Sequence, residues 1–391
     1  MEKRRIYCDN AATTYVSAEV LTEMLPTFTT AYANPASGHL FGQDANKLVE
    51  QARERMAKAF KARSNEIFFT SGGTESNNIA IFGIAEANAS RGKHVIVSQI
   101  EHPAILESAK KLEEDGFEVS YLPVNGQGLV SLADLLHEIR KGETILVSIM
   151  MANNEVGTIQ NIRAIANICR DENIVFHTDA VQAVGAVSID VNQMGIDAMT
   201  ISGHKIYGPK GIGALYLKTG VAVRRQVFGG GQERGIRSGT HNVPGIVGLG
   251  KAVEVAVRDM NVNNQKTRFL RDYFIKQVQE RIEGVHLNGH PVQRLSNNAN
   301  LSFEAIEGEA LLVMLSLAGV AVSTGSACNS AKLEKSHVLR AMGVDEELAQ
   351  SSIRFSFNRS ITKDEIDYVV AALEKAVKRL REYSPVRLRR K

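Results

Sequence analysis

Short apolar runs alternate with amphipathic stretches from about residue 65 onward. Six runs are rich in β-branched or aromatic residues and nearly continuous in apolarity, which predicts strands covered on both faces. They span residues 66–70, 94–98, 144–149, 174–178, 197–202 and 213–217. Between and around them, stretches such as 42–60 and 161–170 place apolar residues at helical spacing. This alternation predicts an α/β fold with βαβ units on a mainly parallel sheet.

The pattern changes after Gly250. An amphipathic stretch over 251–282 predicts one long helix, followed by weaker strands at 299–303 and 352–357 and a final helix from about 363 to 383. We therefore predict a large α/β domain at 16–255. A smaller α+β domain would comprise 256–391 together with 1–15.

Composition excludes several classes of protein. The chain has 391 residues, 44% apolar and 23% charged, which is typical of a soluble globular protein of about two domains. A net charge of +3 is too small to indicate nucleic acid as the main partner. No run approaches a membrane span and no signal-peptide core is present, so we expect no membrane partner and a cytoplasmic location. The basic residues 386–391 are either a frayed terminus or a docking arm for an acidic partner.

Three cysteines occur at positions with no short spacing, which indicates neither a disulfide framework nor a metal site. Cys169 falls on the apolar face of the predicted helix 161–170, and Cys8 reads as a packing residue. Cys328 differs, because its neighbours in 323–330 are Ser, Thr, Gly, Ala and Asn. A thiol in such a setting is available for chemistry.

Polar residues follow five of the predicted strands, at the carboxyl ends where parallel sheets bind ligands. A Gly-rich turn at 71–78, with the hydroxyl of Thr74, opens a helix and forms a potential anion site. The other four strand ends supply a histidine, amides, a carboxylate and a lysine, which are His102, Asn153, Asn154, Asp179, Gln182 and Lys205. Singly, each has an ordinary structural explanation.

Together these groups suit pyridoxal phosphate. This cofactor needs a lysine amine for its Schiff base, an acid beside the ring nitrogen, a phosphate site and usually a ring stacked on its face. Rival cofactors fit worse, because the sequence has neither a Walker A loop nor a dinucleotide fingerprint at the first strand. No paired-histidine zinc motif occurs, so we expect no metal.

The ordered motifs resemble those of the cysteine desulfurases of the NifS/IscS type, in the class V aminotransferase family of fold-type I pyridoxal-phosphate enzymes. The matching stretches are 7–14, 34–37, 70–77, 101–102, 153–157, 177–182, 202–205, 229–235, 237–240, the loop around Cys328, and 352–356. They cover nearly the whole chain. The resemblance implies a large domain with a mainly parallel sheet and a smaller α+β C-terminal domain.

The resemblance also implies roles for individual residues toward the cofactor. Lys205 is implied to hold the cofactor and to abstract the substrate Cα proton, while Asp179 pairs with the ring nitrogen. Gln182 is implied to pair with the phenolic oxygen, His102 to stack on the ring, and Thr240 to arrive from the partner subunit of a homodimer. The full set of implied cofactor positions is Gly73, Thr74, His102, Asn154, Asp179, Gln182, Ser202, His204, Lys205 and Thr240, with the phosphate among Thr74, Ser202 and His204.

For the substrate, the resemblance implies a carboxylate clamp at Arg354, assisted by Asn154 and Asn34. L-cysteine is then converted to L-alanine while the Cys328 thiolate takes the sulfur as a persulfide. An acceptor protein, such as an iron–sulfur scaffold, would receive that sulfur. Asn329 and Lys335 depart from residues common in relatives, and we expect them to tune loop mobility or acceptor choice without changing the chemistry.

Two alternatives remain at this point. A selenocysteine lyase or another class V aminotransferase shares the fold, although an aminotransferase has no use for Cys328. A different hypothesis is a sulfur-delivery scaffold that binds its partners through the basic tail.

Overall fold

The computed structural model describes residues 4–324 and 336–384. Within those ranges the strands form a seven-stranded sheet, a four-stranded antiparallel sheet and a two-stranded sheet. The cysteine predicted to be the nucleophile, Cys328, lies outside the described residues, as do Asn329, Lys335 and the basic residues 386–391.

The strands are short and mostly buried. Their bounds are β1 Ile6–Tyr7, β2 Ile67–Thr70, β3 His94–Ser98, β4 Glu118–Leu122, β5 Thr144–Ser148, β6 Val175–Asp179, β7 Ala198–Ser202, β8 Gly213–Leu217, β9 Val285–Asn288, β10 Asn298–Phe303, β11 Val320–Ala321, β12 Ser323–Thr324 and β13 Ser352–Ser356. All six predicted strands of the large sheet are present, each within one residue at either end. The sequence reasoning missed β4, which is the half-exposed outer strand of that sheet and lacks a continuous apolar run.

The seven-stranded sheet has the order β2-β8-β7-β6-β5-β3-β4. Strand β8 is antiparallel to both of its neighbours, and the remaining pairs are parallel. The predicted mainly parallel sheet is confirmed. Because β2, β3, β5, β6 and β7 run in the same direction, their carboxyl ends share one edge of the sheet, which we call the rim.

The helices cover both faces of the large sheet and one face of the small one. Their bounds are α1 Ala18–Met24, α2 Pro26–Thr29, α3 Leu40–Phe60, α4 Gly73–Asn88, α5 Pro103–Glu114, α6 Leu132–Glu138, α7 Ile162–Asp171, α8 Val191–Met194, α9 Val243–Arg258, α10 Met260–Arg281, α11 Gly308–Leu317, α12 His337–Ala341, α13 Glu346–Gln350 and α14 Lys363–Tyr383. In α7, Asn161 caps the first turn and Cys169 is fully buried in the core, as predicted. Cys8 is also fully buried.

The predicted single helix over 251–282 is wrong, because the chain leaves helical geometry at Asp259 between α9 and α10. The two helices pack into different apolar clusters. Leu249 and Val253 of α9 pack with the core beneath the large sheet, whereas Phe274 and Val278 of α10 pack with the core of the small sheet. One straight helix cannot present an apolar stripe to two cores lying in different directions.

The N-terminal strand pairs with the C-terminal part of the chain. Strand β1 runs parallel to β11, and the Ser356 amide of β13 donates to the Cys8 carbonyl at 2.7 Å. This pairing carries residues 9–14 toward the rim. In the described part of the chain, no helix combines the length and apolarity needed to cross a membrane.

Candidate active site

Lys205 lies on a short 3-10 turn, Gly203–Lys205, directly after β7. Its Nζ atom donates to the carbonyls of Ala11 and Ala12, each at 2.7 Å. The Thr14 amide and hydroxyl both donate to the carbonyl of His204, at 2.8 and 2.9 Å. The N-terminal residues therefore hold the lysine turn in place at the rim.

Asp179 is the last residue of β6 and is 6% exposed. Its Oδ2 accepts from Asn77 Nδ2 at 2.8 Å, and its Oδ1 accepts from the Val181 amide at 2.9 Å. Sequence reasoning assigned no role to Asn77, although it lies one helical turn after Thr74 on α4, and that spacing was the available signal. Two donors thus fix the orientation of the carboxylate at the rim.

His102 caps the N-terminus of α5, and its Nδ1 accepts from the Ala104 amide at 3.1 Å. Burial lowers its pKa, and the charges of Lys205 and His337 lower it further, while Asp179 acts in the opposite direction. These mutual effects place His102 in one electrostatic cluster with the lysine and the aspartate. The imidazole is neutral at neutral pH, which suits a ring that stacks on an aromatic cofactor.

The turn between β2 and α4 forms the predicted anion site. Gly72 ends the turn and α4 begins at Gly73, so the first backbone N–H groups of a 16-residue helix face the rim. A Cβ at Gly73 would lie 3.1 Å from Val181 Cγ2 and 3.6 Å from Ser202 Cβ, which brings the ends of β2, β6 and β7 together. A Cβ at Gly213 would lie 2.7 Å from Gly72 Cα, so this close approach requires glycine there.

The polar side chains around this turn can bind a phosphate. Thr74 is exposed in the first turn of α4, and Ser202 ends β7. His204 Nδ1 is 3.2 Å from Thr13 Oγ1. Burial, helped by Lys205 and Lys210, lowers the pKa of His204 to about 4, so the ring is neutral and acts through hydrogen bonding rather than charge.

Arg354 lies in the middle of β13 and is 2% exposed. One terminal nitrogen donates to Asp9 Oδ1 at 2.8 Å and the other to the Asn154 carbonyl at 3.2 Å. Its Nε has no hydrogen-bond partner among the described residues. A buried guanidinium with an unused donor is suited to an incoming carboxylate.

The structure brings most of the predicted positions together, but not all of them. Gln182 Nε2 donates to the same Ala11 carbonyl that accepts from the lysine, at 2.9 Å. Thr240 and Asn34 are exposed, and within the described ranges no hydrogen bond or ion pair joins either one to the rim. Asn34 instead caps its own turn by accepting from the Ala36 amide at 3.0 Å.

Sequence reasoning also missed a contact at the start of α12, where the described chain resumes after 325–335. Ser336 Oγ donates to Glu155 Oε2 at 2.5 Å. His337 Nε2 is 2.9 Å from the carbonyl of Glu101, the residue before His102. No local pattern signals these contacts, because they join residues far apart in the sequence.

Fold and rim together define a fold-type I pyridoxal-phosphate enzyme. Each requirement of that cofactor is met by residues in contact or in one electrostatic cluster: an amine at Lys205, a buried acid at Asp179, a neutral ring at His102 and an anion turn opening α4. The cofactor therefore fits the residues present.

Comparison with known proteins identifies the family. The family model described as "Aminotransferase class-V" matches residues 6–369. The chain belongs to the class V aminotransferase family.

The relatives within that family carry a more specific name. The chain is 51% identical to "Cysteine desulfurase IscS" of Clostridium botulinum, covering 98% of this chain and 97% of that protein. It is 50% identical to the protein of the same name from Methanosarcina thermophila, covering 98% and 95%. These matches confirm the predicted resemblance.

Solved structures agree with this assignment. One titled "NIFS-LIKE PROTEIN" has a TM-score of 0.91 at 40% identity, covering 96% of this chain and 100% of that chain. Another, titled "SspA in complex with cysteine", has a TM-score of 0.80 at 38% identity, covering 90% and 98%.

Proposed function

We propose that this chain is a cysteine desulfurase, which converts L-cysteine to L-alanine and takes the sulfur onto Cys328 as a persulfide. Relatives of that name at about half identity over nearly the whole chain support the activity. The observation that carries it is the buried Arg354, with an unused Nε donor, beside the rim that holds Lys205 and Asp179.

Bound pyridoxal phosphate supplies an electron sink that stabilises the charge developing at the substrate Cα. Asp179, oriented by Asn77 and the Val181 amide, would bind the ring nitrogen. His102 would lie against the ring as a neutral imidazole. Lys205 Nζ takes the Cα proton and holds it for return to the product.

Substrate recognition depends on the guanidinium of Arg354. Asp9 and the Asn154 carbonyl fix its plane, and the substrate carboxylate accepts from the donors that remain. Asn34 assists from the loop before α3. A lysine at position 354 has no planar fork and cannot reproduce this geometry.

Sulfur transfer is a displacement at the substrate sulfur. The Cys328 thiolate forms an S–S bond as the substrate C–S bond breaks. The electron pair of that C–S bond passes to the substrate carbon, which takes up a proton and becomes the alanine methyl group. One thiol and one cysteine thus give one persulfide and one alanine, with no external oxidant.

The assembly and the acceptor are further parts of the proposal. A homodimer is supported by exposed apolar side chains on α1, between α1 and α2, on α2 and at the start of α3, among them Leu21, Leu25, Phe28 and Phe41. In that dimer Thr240 completes the phosphate site of the partner subunit.

The persulfide passes to an acceptor such as an iron–sulfur scaffold in the cytoplasm. The chain divides into the domains 16–255 and 256–391, the latter with 1–15.

The test is an absorbance spectrum of the purified protein, followed by product analysis after L-cysteine is added. We expect a visible cofactor band that shifts with L-cysteine, and release of alanine and sulfide in the presence of a thiol reductant. Cys328→Ala should keep the spectral shift and lose sulfide release. The control Cys169→Ala removes a buried core thiol and should keep turnover. Unchanged sulfide release by Cys328→Ala would contradict the role of Cys328.

A further inference from the structure

Strand β2 lies at the edge of the seven-stranded sheet and has β8 on one side only. Half of the backbone groups of an edge strand lack a strand partner. Here side chains bond to two groups of β2. The Ile67 carbonyl accepts from Arg53 at 2.7 Å and from Arg234 at 2.9 Å, and the Phe69 amide donates to Glu233 Oε2 at 2.8 Å.

Glu233 is the centre of this arrangement and is 4% exposed. The Arg53 guanidinium donates to both of its carboxylate oxygens, each at 2.8 Å, and His241 Nε2 lies 2.8 Å from Oε1. Burial opposes ionisation, but the hydrogen bonds from Arg53 and His241 outweigh it and lower the pKa of Glu233 to about 2. The carboxylate is therefore charged and fully engaged at neutral pH.

The backbone at this point is held in an unfavourable conformation. Glu233 has φ 46° and Arg234 has φ 53°, in the left-handed region that residues with a Cβ rarely adopt. The guanidinium of Arg53 covers the ring of Phe69, and that of Arg234 covers the ring of Phe68. Such conformations persist only where surrounding contacts enforce them.

The same segment reaches the far side of the phosphate turn. Arg237 Nε lies 3.3 Å from Glu75 Oε1, and the other oxygen of Glu75 accepts from the Ser71 amide. Residues 232–241, which we call the edge segment, therefore contact the chain on both sides of the turn between β2 and α4. One contact, at Phe69, comes just before the turn, and the other, at Glu75, comes in the first turn of the helix.

We propose that Glu233 is a positioning residue for the cofactor phosphate. Its carboxylate, fixed by Arg53, sets the position of the end of β2, and Arg237 sets the start of α4. The turn between them then presents its N–H groups to the phosphate in a fixed geometry. This inference rests on the proposed function, because it assumes that the turn binds the phosphate of pyridoxal phosphate.

The bond between Glu233 and His241 extends this role to the end of the edge segment. Thr240, which we propose to reach the phosphate of the partner subunit, directly precedes His241. One carboxylate is thus bonded both to the strand before the phosphate turn and to the neighbour of Thr240.

The experiment compares two ligands that differ only by the phosphate. Full-length protein freed of cofactor with hydroxylamine is titrated with pyridoxal phosphate or with pyridoxal, and binding is followed by the visible band. In Glu233→Gln we expect the affinity for pyridoxal phosphate to fall about tenfold or more, with a much smaller change for pyridoxal. Arg237→Gln leaves the pair of Arg53 and Glu233 intact. It should also lower the ratio of the affinity for pyridoxal phosphate to the affinity for pyridoxal, and it tests the inference if Glu233→Gln does not fold.

The matched control is Glu50→Gln. Glu50 also bonds Arg53, at 3.2 Å, but it is about half exposed, and among the described residues no hydrogen bond or ion pair joins it to β2 or the turn. The ratio of its affinities for pyridoxal phosphate and pyridoxal should therefore match that of the unsubstituted protein. Equal losses for both ligands in Glu233→Gln and Arg237→Gln, or no loss for either, would overturn the inference. Failure of the unsubstituted protein to bind pyridoxal phosphate would instead contradict the proposed function.

Discussion

Two buried carboxylates flank the cofactor rim, and their environments have opposite effects. Glu233, beside the edge of β2, is 4% exposed, and Glu101, at the end of β3, is fully buried. Hydrogen bonds from Arg53 and His241 overcome burial and lower the pKa of Glu233 to about 2. At Glu101 burial dominates and raises the pKa to about 8. The difference shows that a cation partner, and not depth, decides the charge of a buried acid.

Burial keeps Glu101 neutral, because it outweighs two hydrogen-bond donors that lower the pKa of this carboxyl. Its Oε1 accepts from Ser98 Oγ at 2.6 Å and from the Met150 amide at 2.8 Å, while Oε2 has no partner among the described residues. The negative charge of Asp179 raises its pKa further. A protonated Glu101 ties β3 to the chain after β5 without adding a second negative charge beside His102.

The largest expected effect is at the charged pair. Arg53→Met leaves Glu233 buried without its main cation, which should lower the free energy of unfolding by about 3–5 kcal/mol. Urea denaturation at pH 7 measures it. Adding Glu233→Met in the same chain should recover part of the loss, because no unpaired charge then remains. A loss below about 1 kcal/mol for Arg53→Met would show that the pair is not what stabilises this edge.

The second prediction concerns pH. Glu101 keeps its proton up to about pH 8 in the folded protein and loses it near 4.5 when unfolded. Its contribution to stability is therefore complete below pH 4.5 and is lost as the pH rises through 8, by about 1.4 kcal/mol for each pH unit in that window. Glu101→Gln lacks this dependence, so it should gain stability relative to the unsubstituted protein as the pH rises from 5 to 8.

Denaturation of both proteins at several pH values checks this difference. Glu233→Gln is the matched comparison, because the pKa of Glu233 lies near 2 and its loss of stability should stay constant across the same range. A Glu101→Gln curve parallel to that of the unsubstituted protein would mean that Glu101 is ionised throughout.

The smallest effect is expected at a carboxylate that is only partly buried, Glu365. Glu365 completes a capping box at the start of α14, where its Oε2 accepts from the Thr362 amide at 2.8 Å. Thr362→Ala removes the reciprocal cap and should lower the free energy of unfolding by about 1 kcal/mol. A loss as large as that of Arg53→Met would show that a buried and a partly buried carboxylate contribute equally to the free energy of unfolding.

The rim could be predicted from sequence because its information is local. Each strand that ends at the rim is a short apolar run. Asp179 directly follows the run 174–178, and Lys205 comes three residues after the run 197–202. The break at Asp259 could not be predicted, because it depends on two cores that the sequence does not place in space. The bond between Arg53 and Glu233 joins residues 180 positions apart, and no periodicity links them. Thr240 and Asn34 came from resemblance alone, and their roles stay predictions.

The most direct test of the account is the site of covalent attachment of the cofactor. The purified protein is reduced with borohydride, digested with trypsin and analysed by mass spectrometry. We expect a pyridoxyl group on the peptide that contains Lys205 and on no other lysine. An unmodified Lys205, or a pyridoxyl group on a different lysine, would contradict this expectation.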